Sequence, residues 1–138
     1  EGNSEITIPL SQPVRAARLV LLTNIVGLNK AQAGSPVAEV IIETKPGPAI
    51  TFPLRLGRET ALWDEQCQPD AECQTVVQWH KRIAMSGQNR FADAWRDFQA
   101  GMHGVAFELP PGTEVTTLKL RYVAGSGHLY VWGIALPA

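Results

Sequence analysis

The sequence is short of charge. Only 18% of its 138 residues are Asp, Glu, Lys or Arg, and 12 basic side chains face 13 acidic ones, for a net charge of −1. No basic excess is present to neutralise a phosphate backbone, which argues against nucleic acid as a partner. Low charge beside 45% hydrophobic residues also excludes an intrinsically disordered chain. Long apolar runs are missing, so no segment has the roughly 18–20 residues of a membrane span. The chain opens Glu1-Gly2-Asn3-Ser4, with no charged-then-apolar leader. It is expected to be a mature product or a domain excised from a longer protein.

Catalytic signatures are missing as well. There is no Gly-x-Ser-x-Gly and no Ser-x-x-Lys. Gly125-Ser126-Gly127 joins two strand patterns and does not open a helix, so it is no phosphate loop. His80, His103 and His128 lie in three separate segments with no metal-ligand spacing, and are expected to be ordinary surface or half-buried histidines. Asp93 and Asp97, flanked by Arg90 and Arg96, suit a solvated ion-pair face. Glu39 and Glu43 share a strand but are too far apart to act as a pair. Nothing assembles a nucleophile, base and orienter, so no catalytic residue is assigned and no enzyme is expected.

What is present is punctuation. Twelve Gly and ten Pro are about one residue in six, which favours many short elements over a helical bundle. Period-two alternation or compact apolar runs predict strands over residues 4–10, 18–26, 37–44, 49–56, 74–83, 105–109, 115–123 and 128–136. Asn24, Gly27, Asn29, Gly34 and Ser35-Pro36 mark a loop after the second. About eight strands and no alternating helices predict an all-β fold of one domain over residues 1–138: an antiparallel two-sheet β-sandwich. One stretch breaks the pattern. Phe91, Trp95, Phe98 and Met102 form a helical stripe, predicting a short helical segment near 90–100, although Phe91, Asp93, Trp95 and Asp97 also alternate.

Cys67 and Cys73 are separated by five residues, including the turn-forming Pro-Asp-Ala. The spacing is not that of a CxxC redox motif and no second pair offers a zinc site. A disulfide is expected, and with it an extracytoplasmic setting. The alternative is two reduced cysteines in a cytosolic loop.

Four tryptophans stand out in so small a chain. Sugars stack on flat aromatic faces while Arg, Asp, Asn and Gln bind their hydroxyls. Gly57 releases the chain from a strand just before a polar, aromatic cluster, which makes Arg58, Glu59, Trp63 and Asp64 the candidate ligand site, joined by Trp79 and His80. The competing account has Trp63 tucked under the sandwich and Arg58 paired with Glu59. Trp95 is expected to pack on the helical stripe, and Trp132, inside the apolar last strand, to belong to the core.

Two central segments carry a resemblance. Gly34-Ser35-Pro36-Val37-Ala38-Glu39-Val40 is similar to a Gly-Thr-Pro-Val-Ala-Glu-Ile strand, and Phe52 through Asp64 to a Leu-Arg-Ala-Gly-x-Asp-Thr-Ala-Glu-Trp segment. The closing Leu118–Leu136 is similar to the last two strands of the same pattern. Together they resemble the galactose-binding-like jelly roll, in the version found in extracytoplasmic portions of polytopic bacterial membrane proteins, often of the glycosyltransferase kind. Glu59 stands where that pattern has Asp, Leu62 where it has Glu, and the Cys67–Cys73 loop lies outside it. The resemblance implies a carbohydrate-binding-module-like accessory domain, periplasmic or at the cell surface, attached to the membrane in the full-length protein. Its implied partners are a glycan or lipid-linked sugar and the membrane-embedded remainder of the same polypeptide or assembly. Some members hold a structural calcium; no loop spacing here names such a site, so no cofactor or metal is expected. The alternative is a structural or protein-interaction domain with no glycan ligand. Fold alone does not decide between them.

Overall fold

The computed structural model describes residues 4–28, 33–45, 47–84 and 95–138. The described residues form eight strands: β1 (Ser4–Arg15), β2 (Arg18–Val26), β3 (Pro36–Lys45), β4 (Ile50–Arg55), β5 (Gln74–Ala84), β6 (Trp95–Glu108), β7 (Glu114–Tyr122) and β8 (His128–Ala135). They form two antiparallel four-stranded sheets, ordered β1-β7-β3-β4 and β5-β6-β2-β8. The protein is a β-sandwich, as its strand pattern predicts.

Alternation sorts each strand into two faces. On β2, Leu19, Leu21, Thr23 and Ile25 point inward and are fully covered. Val37, Val40 and Ile42 of β3, Leu54 of β4 and Val115, Leu118 and Leu120 of β7 oppose them from the other sheet. Phe52 on β4 stacks on Phe107 on β6 with ring centroids 4.4 Å apart, tying the sheets together. At one end Gly27 and Gly127 both have positive φ, and a Cβ on Gly27 would lie 2.9 Å from the Gly127 Cα, so only glycine allows this approach.

The helical segment expected near 90–100 is not seen among the described residues. Trp95, Phe98 and Met102 lie on β6, which runs ten residues further back than the predicted 105–109 strand and pairs with β5 from Ala84↔Trp95 to Gln74↔Gly104. Phe91 falls outside the described residues. The stripe satisfied two periods at once, and a two-turn helix carries its nucleation cost alone, whereas a strand gains a full ladder of backbone bonds from β5. No helix among the described residues is long and apolar enough to cross a membrane.

The two outer faces differ in kind. On the first sheet, Arg121 reaches Glu5 and Glu39 at 3.4 and 3.6 Å, and Lys119 reaches Glu43 at 2.9 Å. Glu39 and Glu43 are thus surface ion-pair partners of β7 cations. The second sheet offers Leu22 and Asn24 on β2, Gly104 on β6, and Tyr130, Trp132 and Gly133 on β8. These positions are largely apolar and aromatic, and Arg18 faces Glu108 at the far end of the same face.

Candidate functional site

The loop after β4 is welded in place. Ile25 donates to the Ala61 carbonyl and Trp63 donates to that of Ile25, a parallel bridge that extends the second sheet. Thr23 and Thr60 share a buried hydroxyl–hydroxyl bond of 2.8 Å. Cys67 and Cys73 are joined by a disulfide. Closing so small a loop contributes about 2–2.5 kcal/mol in the chain-entropy account, and a disulfide is the mark of an oxidising, extracytoplasmic compartment.

The structure divides the residues picked out in this loop between different roles. Glu59 is only 4% exposed. Its carboxylate accepts from the Arg55 backbone N–H at 2.9 Å and from the Arg55 guanidinium, with Nε at 3.0 Å and Nη2 on the second oxygen. All of this braces the turn from 55 to 60. Arg58 does not pair with Glu59. It makes a two-pronged bond to Glu72, Nε at 2.9 Å and Nη2 at 3.0 Å, with Asp70 at 3.7 Å from Nη1. The guanidinium holds the Glu72 carboxyl below the usual carboxylate range. Trp63 is half-buried, while Asp64 is exposed. Trp79 and His80 lie on β5, and their side chains fall outside the described residues. A cleft of about 670 Å³ is lined by Arg58 and Asp64 together with Gln66 and Gln68, but by neither Glu59 nor any aromatic residue.

His103 is a second anchor of the loop. Its ring is fully buried, with Nε2 2.8 Å from the Leu62 carbonyl and Nδ1 2.9 Å from the Thr75 hydroxyl. A carbonyl only accepts, so Nε2 carries the proton. Thr75 then donates to Nδ1 and accepts from the Cys67 N–H at 2.9 Å. Every donor has a partner while the ring is neutral, and burial pushes its pKa below 6.5. The unfolded chain therefore binds more protons on this group in acid, so its share of stability is complete above about pH 6.5 and declines as pH falls below that value. Urea midpoints between pH 8 and pH 5 should fall more steeply in the native protein than in His103→Gln; parallel profiles would refute the assignment.

The aromatic surface lies elsewhere. Trp132, expected in the core, is 53% exposed, and Tyr130 is 46% exposed. The cause is a bulge: Leu22 pairs with Gly133 and Thr23 with Val131, leaving Trp132 as the extra residue. Both rings stand on the outer face, nearly parallel at 28° with centroids 6.0 Å apart, and His128 continues the row 6.4 Å from Tyr130. Beneath them Asn24 is 4% exposed. Its Oδ1 accepts from Trp132 Nε1 at 3.1 Å and its Nδ2 donates to the Gly101 carbonyl at 3.0 Å. Asn24, read from the sequence as a loop marker, lies within β2, and Tyr130 was not singled out as a site residue. The available signal was an amide inside an otherwise apolar strand.

A third feature is a groove of about 550 Å³ where the sheets part between β1 and β8, walled by Ile6, Leu120, Leu129 and Val131. Ile6 faces the core side, opposite Leu120, yet is 59% exposed. No three His, Cys, Asp or Glu side chains converge as a metal site among the described residues.

Comparison with protein-family models, with curated proteins and with solved structures gives no match.

Proposed function

We propose that the protein is a non-catalytic extracytoplasmic domain that binds neutral carbohydrate on the outer face of its second sheet. One observation carries this reading: two large, nearly parallel aromatic side chains stand exposed on a rigid strand, with one of them fixed by a hydrogen bond. Such faces receive the apolar C–H surface of a sugar ring. On the described part of this face no Lys, Arg, Asp or Glu lies between Leu22 and Val26, or opposite them on β8, where His128 pairs with Val26. An acidic polysaccharide would find no counter-charge there, which is why the ligand is assigned as neutral. In the full-length protein we place the domain beside a membrane-embedded remainder, where a glycan or the sugar of a lipid-linked precursor is within reach. This follows the resemblance to galactose-binding-like modules.

Native gels cast with neutral polysaccharides (a β-glucan, a xylan, a galactomannan) or acidic ones (alginate, polygalacturonate) test this. The protein should be retarded by at least one neutral polymer. Trp132→Ala should weaken that retardation about thirtyfold, the loss of a central aromatic contact of roughly 2 kcal/mol, with little change in melting temperature because the ring is half exposed. Retardation that survives Trp132→Ala but is lost in Asp64→Ala would move the site to the Arg58 cleft. Absence of retardation in every gel would refute the carbohydrate reading. It would favour the structural or protein-interaction alternative, for which the apolar groove between β1 and β8 is the supporting feature.

A further inference from the structure

We infer that Asn24 is the positioning residue of the aromatic platform: its amide, held from below by the Gly101 carbonyl, sets the orientation of Trp132 before any ligand arrives. The inference rests on the platform reading of function, but its decisive measurement does not need a ligand.

An indole N–H only donates and a peptide carbonyl only accepts. Asn24 stands between one of each, with Oδ1 3.1 Å from Trp132 Nε1 and Nδ2 3.0 Å from Gly101 O. Reversing the amide would set donor against donor and acceptor against acceptor. Its orientation is therefore fixed, and so is the point at which it receives the indole. Asp at this position would turn a carboxylate toward the Gly101 carbonyl, and Leu would satisfy neither partner. Among side chains of this size only Asn serves both.

The anchor beneath is itself held. Gly101 donates its N–H to the Trp63 carbonyl at 2.7 Å, and Trp63 donates to the Ile25 carbonyl at 2.9 Å. Trp132 thus ends a chain of four hydrogen bonds that runs through β6 and the 61–63 bridge back to β2. A bulge needs this support. Trp132 is the unpaired residue of an edge strand, next to Gly133, which has no side chain to pack against it. Without the bond to Asn24, the ring would have to be ordered at the moment of binding, at a cost in affinity.

The test uses the indole N–H itself. Four tryptophans give four indole ¹⁵N–¹H signals, and the one missing in Trp132→Phe belongs to Trp132. In the native protein that proton should exchange with water about tenfold or more slowly than a free indole, although the ring is exposed. In Asn24→Leu it should exchange at the free rate while the other three signals keep theirs. In the polysaccharide gels Trp132→Phe, which keeps an aromatic face and loses the N–H, should weaken retardation about three- to tenfold, the worth of one hydrogen bond. Asn24→Leu should do the same, and the double variant should lose no more than either single one. Free-rate exchange of the Trp132 proton in the native protein overturns the inference, as does full additivity in the double variant. If Asn24→Leu does not fold, native exchange and Trp132→Phe still decide. Unchanged retardation in Trp132→Ala defeats the platform reading instead and leaves the exchange result standing.

Discussion

Replacing Phe107 by alanine should destabilise the protein by about 3–5 kcal/mol, the range for deleting a large buried aromatic ring. Phe107 is the inward residue of β6 opposite Leu19, and its ring lies 4.4 Å from that of Phe52 on the other sheet. Its loss opens a cavity between two sheets whose positions are fixed by backbone ladders, so neither can close the gap. The stacking itself adds to the burial. Urea unfolding at neutral pH, where His103 is neutral, measures this directly. Phe107→Leu, which refills most of the volume, should recover the greater part. A loss below about 1 kcal/mol for the alanine variant would mean that the sheets are held chiefly elsewhere.

Glu59→Ala is expected to cost about 2–3 kcal/mol, in the range for hydrogen bonds to a charged group. The side chain is covered, and it caps a backbone N–H as well as engaging the Arg55 guanidinium. Removal leaves the Arg55 N–H without its acceptor at the point where the chain leaves β4. A surface ligand-binding carboxylate would behave differently, costing little stability and much affinity. Thermal melts and polysaccharide gels run on the same variant separate the two. A stable variant that no longer binds would return Glu59 to the ligand site.

Most of the sandwich was legible because buried strands leave a period-two trace that survives any neighbour. Leu19, Leu21 and Ile25, or Leu118 and Leu120, announce an inner face whatever they pack on. The first half of β6 was not legible, because Phe91, Trp95, Phe98 and Met102 fit a helical stripe while Phe91, Asp93, Trp95 and Asp97 alternate as a strand would. The candidate site was hidden for another reason. Whether Trp132 is covered depends on the position of β8 at the sheet edge and on a one-residue bulge, and neither is written in His-Leu-Tyr-Val-Trp-Gly-Ile-Ala. Glu59 was half legible. Arg55 stands four residues before it, but only the turn from 55 to 60 shows that the two close on each other, leaving Arg58 to turn to Glu72.

The strand order has a consequence for how the chain reaches its native state. Among the described strands only β3–β4 and β5–β6 pair with their immediate successors; β1 waits for β7, and β2 for both β6 and β8. Such pairing of distant segments makes folding slow. During synthesis, β2 has no neighbouring strand in its sheet until β6 has emerged, and its second neighbour, β8, is the last strand made. The Cys67–Cys73 ring, by contrast, closes over six positions and needs no sheet. In an oxidising compartment it can close before the sandwich does, delivering the 67–73 loop as a preformed piece to a molecule still searching for its register.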